Sequence, residues 1–241
     1  MTKIQYIEEQ LRDTKLRSSL SNVVADADAL MPQYEAEFAE IEKLGLYPAE
    51  QCVPFVTKQG SPFYQLDNMS LTPKGDTANY LRYGDFAFRQ LEVLYNMARM
   101  DSVEAHLWLK DNLFQGCRVD ARKKSEYKSK FKGCERIDWK SIQVEWMKYC
   151  LMLKYHCNAL FCKDLFASSD KLPVEDTTLT NYASRLFWGA TLVELDGKKY
   201  YFGCNVLGKL LAALRDNGGK LTYTLPADIH LFGKPILNIE A

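Results

Sequence analysis

A β-hairpin in the last third of the sequence constrains the fold more than any other short segment. The strings LVEL and KYYF are rich in residues that favour strands, and they flank Asp196-Gly197. An Asp-Gly pair in this setting is typical of a two-residue hairpin turn. An apolar stretch of helical period follows from about Asn205 to Asn217, and Gly218-Gly219 should end it. The chain therefore combines antiparallel strands with at least one helix.

Helical spacing of apolar residues dominates the rest of the sequence. The residues from Cys52 to Lys74 are an exception, because prolines and glycines break them into short pieces typical of strand or loop. The tail Leu221–Ile239 is β-like and is expected to add edge strands. The predicted helices cover residues 1–45 with a new start at Pro32, a segment from an Asp85 cap to about Met100, a segment from Ser102 to near Gly116, and a segment from an Asp138 cap through Phe161.

These elements predict a mainly α fold of the α+β class, multihelical with a small β-hairpin or sheet. A length of 241 residues is long for one domain and short for two. We therefore expect an N-terminal helical extension over residues 1–50 and one main domain over residues 51–241, with the β-like tail included.

Composition and cysteine content favour a cytoplasmic protein. The hydrophobic fraction of 47% supplies an ordinary globular core. The N-terminal sequence is charged and amphipathic, unlike a signal peptide, and no apolar run reaches the roughly 18 residues that a membrane helix needs. The seven cysteines are odd in number and contain no Cys-x-x-Cys pair, which favours reduced, buried thiols over disulfides or a zinc site. We expect no membrane association, no metal and no cofactor.

The charges balance at 31 basic and 31 acidic residues, but they are unevenly distributed. Residues 118–140 contain nine Lys or Arg against four Asp or Glu. Such a run could face an anionic ligand, although a solvated basic surface is the commoner explanation. The common nucleotide-binding, metalloprotease and hydrolase motifs are absent, and His106, His156 and His230 are scattered as ordinary structural histidines are. Any catalysis therefore has to rely on carboxylates and aromatic residues.

Glu92 is the carboxylate whose setting best fits chemistry. Successive residues of a helix turn by about 100°, which places Glu92 beside Phe88 and Tyr95 at the border of the apolar face. Arg99 follows two turns on, almost in line. Desolvation against aromatic rings raises the pKa of a carboxyl group, and a nearby arginine lowers it, so this setting suits proton transfer or stabilisation of a cation. The alternative is that Glu92 ends the apolar stripe and points to water.

Two tryptophans offer flat surfaces to a planar base. Trp139 follows the basic run at the start of the long predicted helix, and stacking on an aromatic ring contributes about 1–3 kcal/mol per base. A tryptophan at a helix start is nevertheless more often a core anchor, and the same caution applies to Trp188.

The segment SRLFWGATLVELDGKKYYFGCNVLGKLLAALRD resembles the signature of the NADAR (YbiA-like) family. That signature is an aromatic-Trp-Gly, a short variable excursion, then Gly-x-Asn-x-Leu-Gly-x-Leu-Leu and a closing Arg. The matching residues are Phe187-Trp188-Gly189, Gly203, Asn205, Leu207-Gly208, Leu210-Leu211 and Arg215.

Three earlier pieces resemble the same family and fall in its order. QLEVLYNMARM is similar to a family helix in which a Glu precedes an aromatic and, seven residues on, a basic residue. IDWKSIQVEWMKYCLMLKY is similar to its tryptophan-bearing helix, and VPFVTKQGSPFYQL to an early Phe…Ser-Asn-Phe strand and loop. The matching residues are Glu92, Tyr95, Arg99, Trp139, Met147, Lys154, Tyr155, Phe55, Ser61 and Phe63. The resemblance thus spans residues 53–215.

The resemblance implies a YbiA-like fold and an N-glycosidase that acts on a ribosyl carbon–nitrogen bond of ligands related to ADP-ribose. In that case Glu92 stabilises the oxocarbenium-like state or activates the attacking water. Trp139 would stack the base. Phe63, Tyr64 or Trp188 would close the other side of the base, and Ser61 would also bind the ligand. Gly189 would form a wall, and Arg99, Arg185 and Asn205 would hold phosphate or ribose oxygens.

Two departures from the family pattern leave the substrate open. The Ser-Asn-Phe triplet is Ser61-Pro62-Phe63, and Arg185 stands where family members place an acid. We favour removal of ADP-ribose from guanine in DNA, with a DNA-modifying toxin as a candidate partner, because the basic run leads into Trp139. The alternatives are cleavage of ribosylaminopyrimidine intermediates of riboflavin synthesis, a module that only binds ADP-ribosylated ligands, and an unrelated helical protein with a chance match.

Overall fold

The structure of the chain, a computed structural model, describes residues 45–113, 129–178, 184–195 and 197–239. The helices predicted for the N-terminal extension fall, as far as residue 44, outside the described residues. The chain divides into two compact units. In the described part, the first unit comprises residues 45–67 and 165–215, and the second comprises residues 68–164 and 216–239. The predicted domain division at residue 50 stays a prediction.

The described residues form a mixed α+β structure, as predicted. The strands are β1 (Gly45–Pro48), β2 (Cys52–Phe55), β3 (Leu81–Tyr83), β4 (Phe86–Phe88), β5 (Leu172–Glu175), β6 (Thr191–Leu195), β7 (Lys198–Gly203), β8 (His230–Leu231) and β9 (Lys234–Pro235). The α-helices are α1 (Leu91–Met97), α2 (Val103–Leu113), α3 (Trp139–Cys157), α4 (Ala159–Ala167), α5 (Ser184–Trp188) and α6 (Val206–Asp216). Short 3₁₀ turns cover Ala49–Gln51, Tyr64–Leu66 and Thr77–Asn79.

The predicted hairpin is the centre of a three-stranded antiparallel sheet in the first unit. Strands β6 and β7 pair with Leu195 opposite Lys198, and Gly197 takes a φ of +72°, the left-handed conformation that the turn needs. Strand β1 pairs with the other edge of β7. Gly45 was predicted only to end a helix, and it begins a strand instead. Its partner Gly203 is distant in the sequence, so no local pattern announces the pairing.

A parallel pair completes the strands of the first unit. Strand β2 lies in the region predicted as strand or loop, and it pairs with β5 so that Cys52 is opposite Leu172. Val53, Phe55 and Val174 are buried along this pair.

The start of α1 in the second unit corrects the sequence prediction. Asp85 does not cap a helix, because it lies in the two-residue turn between β3 and β4. Gly84, the other turn residue, has a φ of +55°. Helix α1 begins at Leu91 and ends at Met97, just before Arg99. Phe88 is buried, as predicted, but it belongs to strand β4 and not to the helix. The aromatic and apolar residues of this segment fit the helical period as well as the strand period. The Gly-Asp turn favours the hairpin.

Helix α3 forms the core of the second unit and is shorter than predicted. The predicted helix through Phe161 breaks at Asn158, whose Oδ1 accepts the Phe161 N–H at 2.8 Å and so caps α4. Trp146, Tyr149 and Cys150 along α3 are fully buried. Asp138 stands at the N-cap position, but its carboxylate binds Arg136 instead of helix amides.

The tail corrects another expectation, since it adds no edge strand to a larger sheet. Strands β8 and β9 are two residues each and pair with one another. Side chains of α3 hold the residues before them: Lys148 Nζ donates to Thr222 O at 2.8 Å, and a Glu145 carboxylate oxygen accepts the Thr224 N–H at 2.6 Å.

The described cysteines are all free thiols. Within the described residues, no helix has the length and apolar character to cross a membrane.

Candidate functional site

The first turn of α1 presents Glu92 with a fixed orientation. Its backbone N–H donates to Asn68 O at 3.0 Å, which anchors the start of the helix. One turn later, the Asn96 amide nitrogen donates to Glu92 Oε1 at 2.9 Å and to the Glu92 carbonyl oxygen at 2.8 Å. A hydrogen bond to an ionised carboxylate is shorter and stronger than one between neutral groups. Asn96 therefore holds the half-buried Glu92 carboxylate in one orientation.

Tyr95 contacts Trp139 and interacts electrostatically with Glu92. The rings of Tyr95 and Trp139 meet edge to face, with centroids 5.2 Å apart. Burial raises the pKa of Tyr95 well above its ordinary value, the negative charge of Glu92 and then Cys150 add to that rise, and Arg99 opposes it. Tyr95 is therefore a neutral phenol at physiological pH. Glu92, Cys150 and Arg99 are thus the ionisable groups that act on this phenol.

The setting of Cys150 favours the protonated thiol. Burial raises its pKa well above the ordinary value, and the charge of Glu92 raises it further. A thiol, unlike a thiolate, is a poor nucleophile. Among the groups that act on Tyr95, Glu92 is therefore the candidate for chemistry.

A short backbone pairing places Glu135 against Arg99. The segment 134–136 runs antiparallel to residues 99–101: Asp101 N–H donates to Cys134 O at 2.8 Å and Arg136 N–H donates to Arg99 O at 2.9 Å. Arg99 Nη2 then contacts both carboxylate oxygens of Glu135, at 3.0 and 3.1 Å. Trp139 follows directly, at the start of α3. We call the set Glu92, Tyr95, Asn96, Arg99, Glu135 and Trp139 the α1 corner; all six residues belong to the second unit.

The described part of the basic run carries less free charge than the sequence indicates. Lys130 pairs with Glu104 at 3.1 Å. Arg136 is largely buried and binds both Asp138, at 2.9 Å, and Asp228, at 3.0 Å. Residues 118–128 of the run lie outside the described part of the chain. Lys132 and Lys140 remain exposed close to Trp139 in the sequence.

The glycines of the motif in the first unit are packing positions. A side chain at Gly208 would overlap the backbone oxygen of Pro173 and the amide of Asn205. A side chain at Gly189 would overlap the backbone oxygen of Glu175, and one at Gly203 would overlap the oxygen of Gly189. The motif therefore brings α6 and β7 closer to their neighbours than any larger residue allows.

Asn205 is fully buried and works inside the same packing. Its Nδ2 donates to Pro173 O at 2.9 Å, and its backbone N–H donates to Gly189 O at 3.1 Å. Its φ is +50°, a left-handed conformation that Asn adopts more easily than most residues. These contacts use Nδ2 and the backbone N–H, whereas the buried Oδ1 has no hydrogen-bond partner among the described residues. The predicted role of Asn205 at phosphate or ribose oxygens stays a prediction.

The remaining predicted ligand residues also lie in the first unit. Trp188 is partly buried and meets the Phe187 ring edge to face at 5.1 Å. Phe63 has a φ of +55° and precedes the turn Tyr64–Leu66, and the Ser61 carbonyl accepts the Tyr64 N–H at 3.3 Å. Arg185 is part of α5, but its side chain lies outside the described part of the chain. The closing Arg215 has a structural role, because its Nη1 binds Ser168 Oγ and the Lys171 carbonyl.

The histidines have ordinary surroundings. His106 is buried, with Nε2 2.8 Å from Met100 O and Nδ1 3.1 Å from the Phe232 nitrogen. These partners assign the proton to Nε2 and leave Nδ1 to accept the Phe232 N–H. Burial lowers the pKa of His106, so the ring is neutral at physiological pH. The described residues contain no group of three or more His, Cys, Asp or Glu that could hold a metal ion.

Sequence reasoning missed two members of the α1 corner. Asn96 lies four residues after Glu92, a spacing at which helical side chains meet, so helix geometry could have identified it. Glu135 is 36 residues from Arg99 and is brought there only by the pairing of residues 134–136 with 99–101. No local pattern could have identified that residue.

Comparison with known proteins adds no family assignment. No protein-family model matches the chain, and no curated protein matches it significantly. The resemblance to the NADAR family therefore rests on the motif residues themselves.

Proposed function

We propose that this protein is an N-glycosidase that hydrolyses a ribosyl carbon–nitrogen bond, and that it removes ADP-ribose from guanine bases in DNA. The observation that carries the proposal is the α1 corner. It joins an oriented carboxylate, Glu92, to a partly buried aromatic ring, Trp139, through Tyr95, and it adds the guanidinium of Arg99. These are the three kinds of group that such a reaction requires.

Glu92 meets the chief demand of the reaction. When the bond between the ribosyl carbon and the base nitrogen breaks, its electron pair leaves with the base and the sugar acquires oxocarbenium character. A carboxylate held close by stabilises that positive charge, and it accepts a proton as water adds to the ribosyl carbon. The base nitrogen takes up a proton to complete the hydrolysis. The Asn96 amide keeps the Glu92 carboxylate from rotating away.

Trp139 and Arg99 supply binding. The Trp139 side chain is only partly buried and offers a stacking surface to the departing base. Arg99 has about 40% of its side chain exposed, which leaves it accessible to a phosphate of the ligand. The resemblance of the chain to the NADAR family supports the same assignment of these residues.

The basic run favours DNA over a small metabolite, because a polyanion is held by several Lys and Arg side chains. Lys132 and Lys140 belong to this run and are exposed. The ion pairs of Lys130 and Arg136 favour the second candidate, cleavage of a ribosylaminopyrimidine phosphate, since they remove charge from the described part of the run.

Two substrates offered in parallel decide between the candidates. We expect the purified protein to release ADP-ribose from an oligonucleotide that carries ADP-ribosyl-guanine, with the unmodified strand detected by mass spectrometry. Raised salt should slow that reaction. Cleavage of the ribosylaminopyrimidine phosphate alone would establish the second candidate instead.

A variant of Glu92 separates catalysis from mere binding. We expect Glu92→Gln to lower kcat by about 10²–10⁴-fold, the usual contribution of a positioned acid–base group, while ADP-ribose still binds. Glu194→Gln, an exposed glutamate on β6, is the matched control and should leave the rate unchanged. If Glu92→Gln turns over normally, the protein does not use the α1 corner for catalysis. If neither variant nor wild type turns over and all bind ADP-ribose, the protein is a binding module.

A further inference from the structure

The ion pair between Arg99 and Glu135 uses the guanidinium incompletely. Both carboxylate oxygens of Glu135 contact one nitrogen, Nη2, at 3.0 and 3.1 Å. The Nε of the same guanidinium is buried and has no hydrogen-bond partner among the residues that the structure describes. Strong arginine–anion pairs use two parallel N–H groups, each bonded to its own oxygen. The Arg99 fork therefore keeps one donor unused while Glu135 occupies the other.

A buried donor without a partner is unfavourable, because it has lost water without gaining an acceptor. A phosphate group has more oxygens than a carboxylate and matches the arginine fork well. Replacement of the Glu135 carboxylate by a phosphate would satisfy both Nε and Nη2. The Glu135 side chain is 46% exposed, so it can move into water when a ligand arrives.

We infer that Glu135 is an internal counter-ion of the α1 corner, which holds Arg99 in the empty site, yields it to the phosphate or pyrophosphate of the ligand, and so sets how tightly anionic ligands bind. The inference rests on the proposed function for the identity of the whole ligand, and on the Arg99–Glu135 geometry for the phosphate. Neutral ribosides cannot displace the carboxylate, since they offer Arg99 no competing charge. Glu135 therefore tunes the affinity for anionic ligands and leaves the affinity for neutral ribosides unchanged.

The test measures binding without cleavage. Pyrophosphate and ADP-ribose are titrated against the full chain by calorimetry, with adenosine as the uncharged probe. We expect Glu135→Gln to bind pyrophosphate and ADP-ribose about 3- to 10-fold more tightly, because an exposed ion pair no longer competes and the carboxylate no longer repels the ligand. Adenosine should bind both proteins equally.

Two further variants make the result specific. Glu104→Gln removes an exposed carboxylate that is paired with Lys130 in the same unit, so it changes the net charge equally without touching Arg99. It should leave the affinity for pyrophosphate unchanged. Arg99→Gln should weaken pyrophosphate binding, and in the Arg99→Gln/Glu135→Gln double variant the gain from Glu135→Gln should vanish.

The outcomes separate this inference from the proposed function. Unchanged or weaker pyrophosphate binding by Glu135→Gln, or no binding by either protein, overturns the counter-ion role whatever the cleavage assay shows. A gain of equal size in Glu104→Gln also overturns it, since net charge alone would then explain the effect. Tighter binding by Glu135→Gln alone, together with no cleavage of any riboside, supports the counter-ion role and overturns the glycosidase.

Discussion

The motif of the first unit and the α1 corner of the second differ in what their residues do. In the motif, Gly189, Gly203 and Gly208 allow close approach of backbones, and Asn205 is fully buried with its amide bonded to Pro173 O. In the α1 corner, Glu92, Arg99 and Trp139 are only partly buried and carry charge or an aromatic surface. The segment that is easiest to notice in the sequence is thus the one with the clearest packing role.

The difference shows how to weigh sequence motifs. Glycines at fixed spacing are noticeable because close packing tolerates no other residue. A catalytic carboxylate on a helix surface, by contrast, looks like any solvated glutamate until its neighbours are known. Substitutions in the motif should therefore change stability, and substitutions in the α1 corner should change activity.

The largest expected effect is on the stability of the first unit. We expect Gly208→Ala to lower the free energy of unfolding by about 3 kcal/mol, the upper end for overpacking, because the obstacle includes a backbone oxygen that cannot rotate away. Urea denaturation followed by circular dichroism measures this change. Ala212→Ser, on the same helix and only partly buried, is the control and should stay within about 0.5 kcal/mol of wild type. A Gly208→Ala protein as stable as wild type would show that the motif is not held by packing.

A smaller effect is expected on activity in the α1 corner. Asn96→Ala should lower kcat/KM by about 10-fold, which corresponds to the lower end of the about 1.5–3 kcal/mol that a hydrogen bond to a charged group contributes. The acidic limb of the pH–rate profile should move to higher pH, because an ionised carboxylate loses a donor that favours it. The measurement is the cleavage rate of the ADP-ribosyl oligonucleotide between about pH 4 and 9.

Asn96→Gln tests whether Asn96 acts through Glu92. Its longer amide can still reach Glu92 across one helical turn, so it should recover part of the rate and return the limb toward its original position. If the alanine variant loses thermal stability and shows an unshifted profile, Asn96 has only a structural role.

The smallest effect is a pH dependence of stability in the second unit. Burial holds the pKa of His106 below its ordinary value of 6.5, so the unfolded chain binds a proton more readily than the folded chain. The stability contributed by neutral His106 is therefore full above about pH 6.5 and is lost as the pH falls through the folded-state pKa. Protonation also removes the acceptor for the Phe232 N–H, a hydrogen bond that contributes about 1 kcal/mol.

Thermal unfolding between pH 7.5 and 5 measures this dependence. His106→Gln should be less stable than wild type at neutral pH and should lose part of the decline toward acid pH. The exposed His156→Gln is the control and should keep the wild-type slope. If stability depends on pH equally steeply in His106→Gln and in wild type, His106 is not the source of the pH dependence.

Prediction from the sequence succeeded where structure is local. The Asp-Gly turn and its two strands, the helix up to Gly218 and the helix start at Ser102 were all predicted, and Ser102 Oγ accepts the Ala105 N–H at 3.3 Å as a cap does. The prediction at Asp85 was wrong because a two-residue turn competed with a helix start. Helical spacing also placed Tyr95 near both Glu92 and Arg99, which the electrostatics around Tyr95 support.

The sequence by itself determined the mixed α+β class, the hairpin and the side of α1 that carries Glu92, because turn chemistry and side-chain periodicity act over a few residues. Only the tertiary structure decided that β1 pairs with β7, that Glu135 meets Arg99, and that the Asn205 amide binds Pro173 O. Each of these contacts joins residues that are far apart in the sequence. Their partners are selected by the packing of the whole unit, which no short segment encodes.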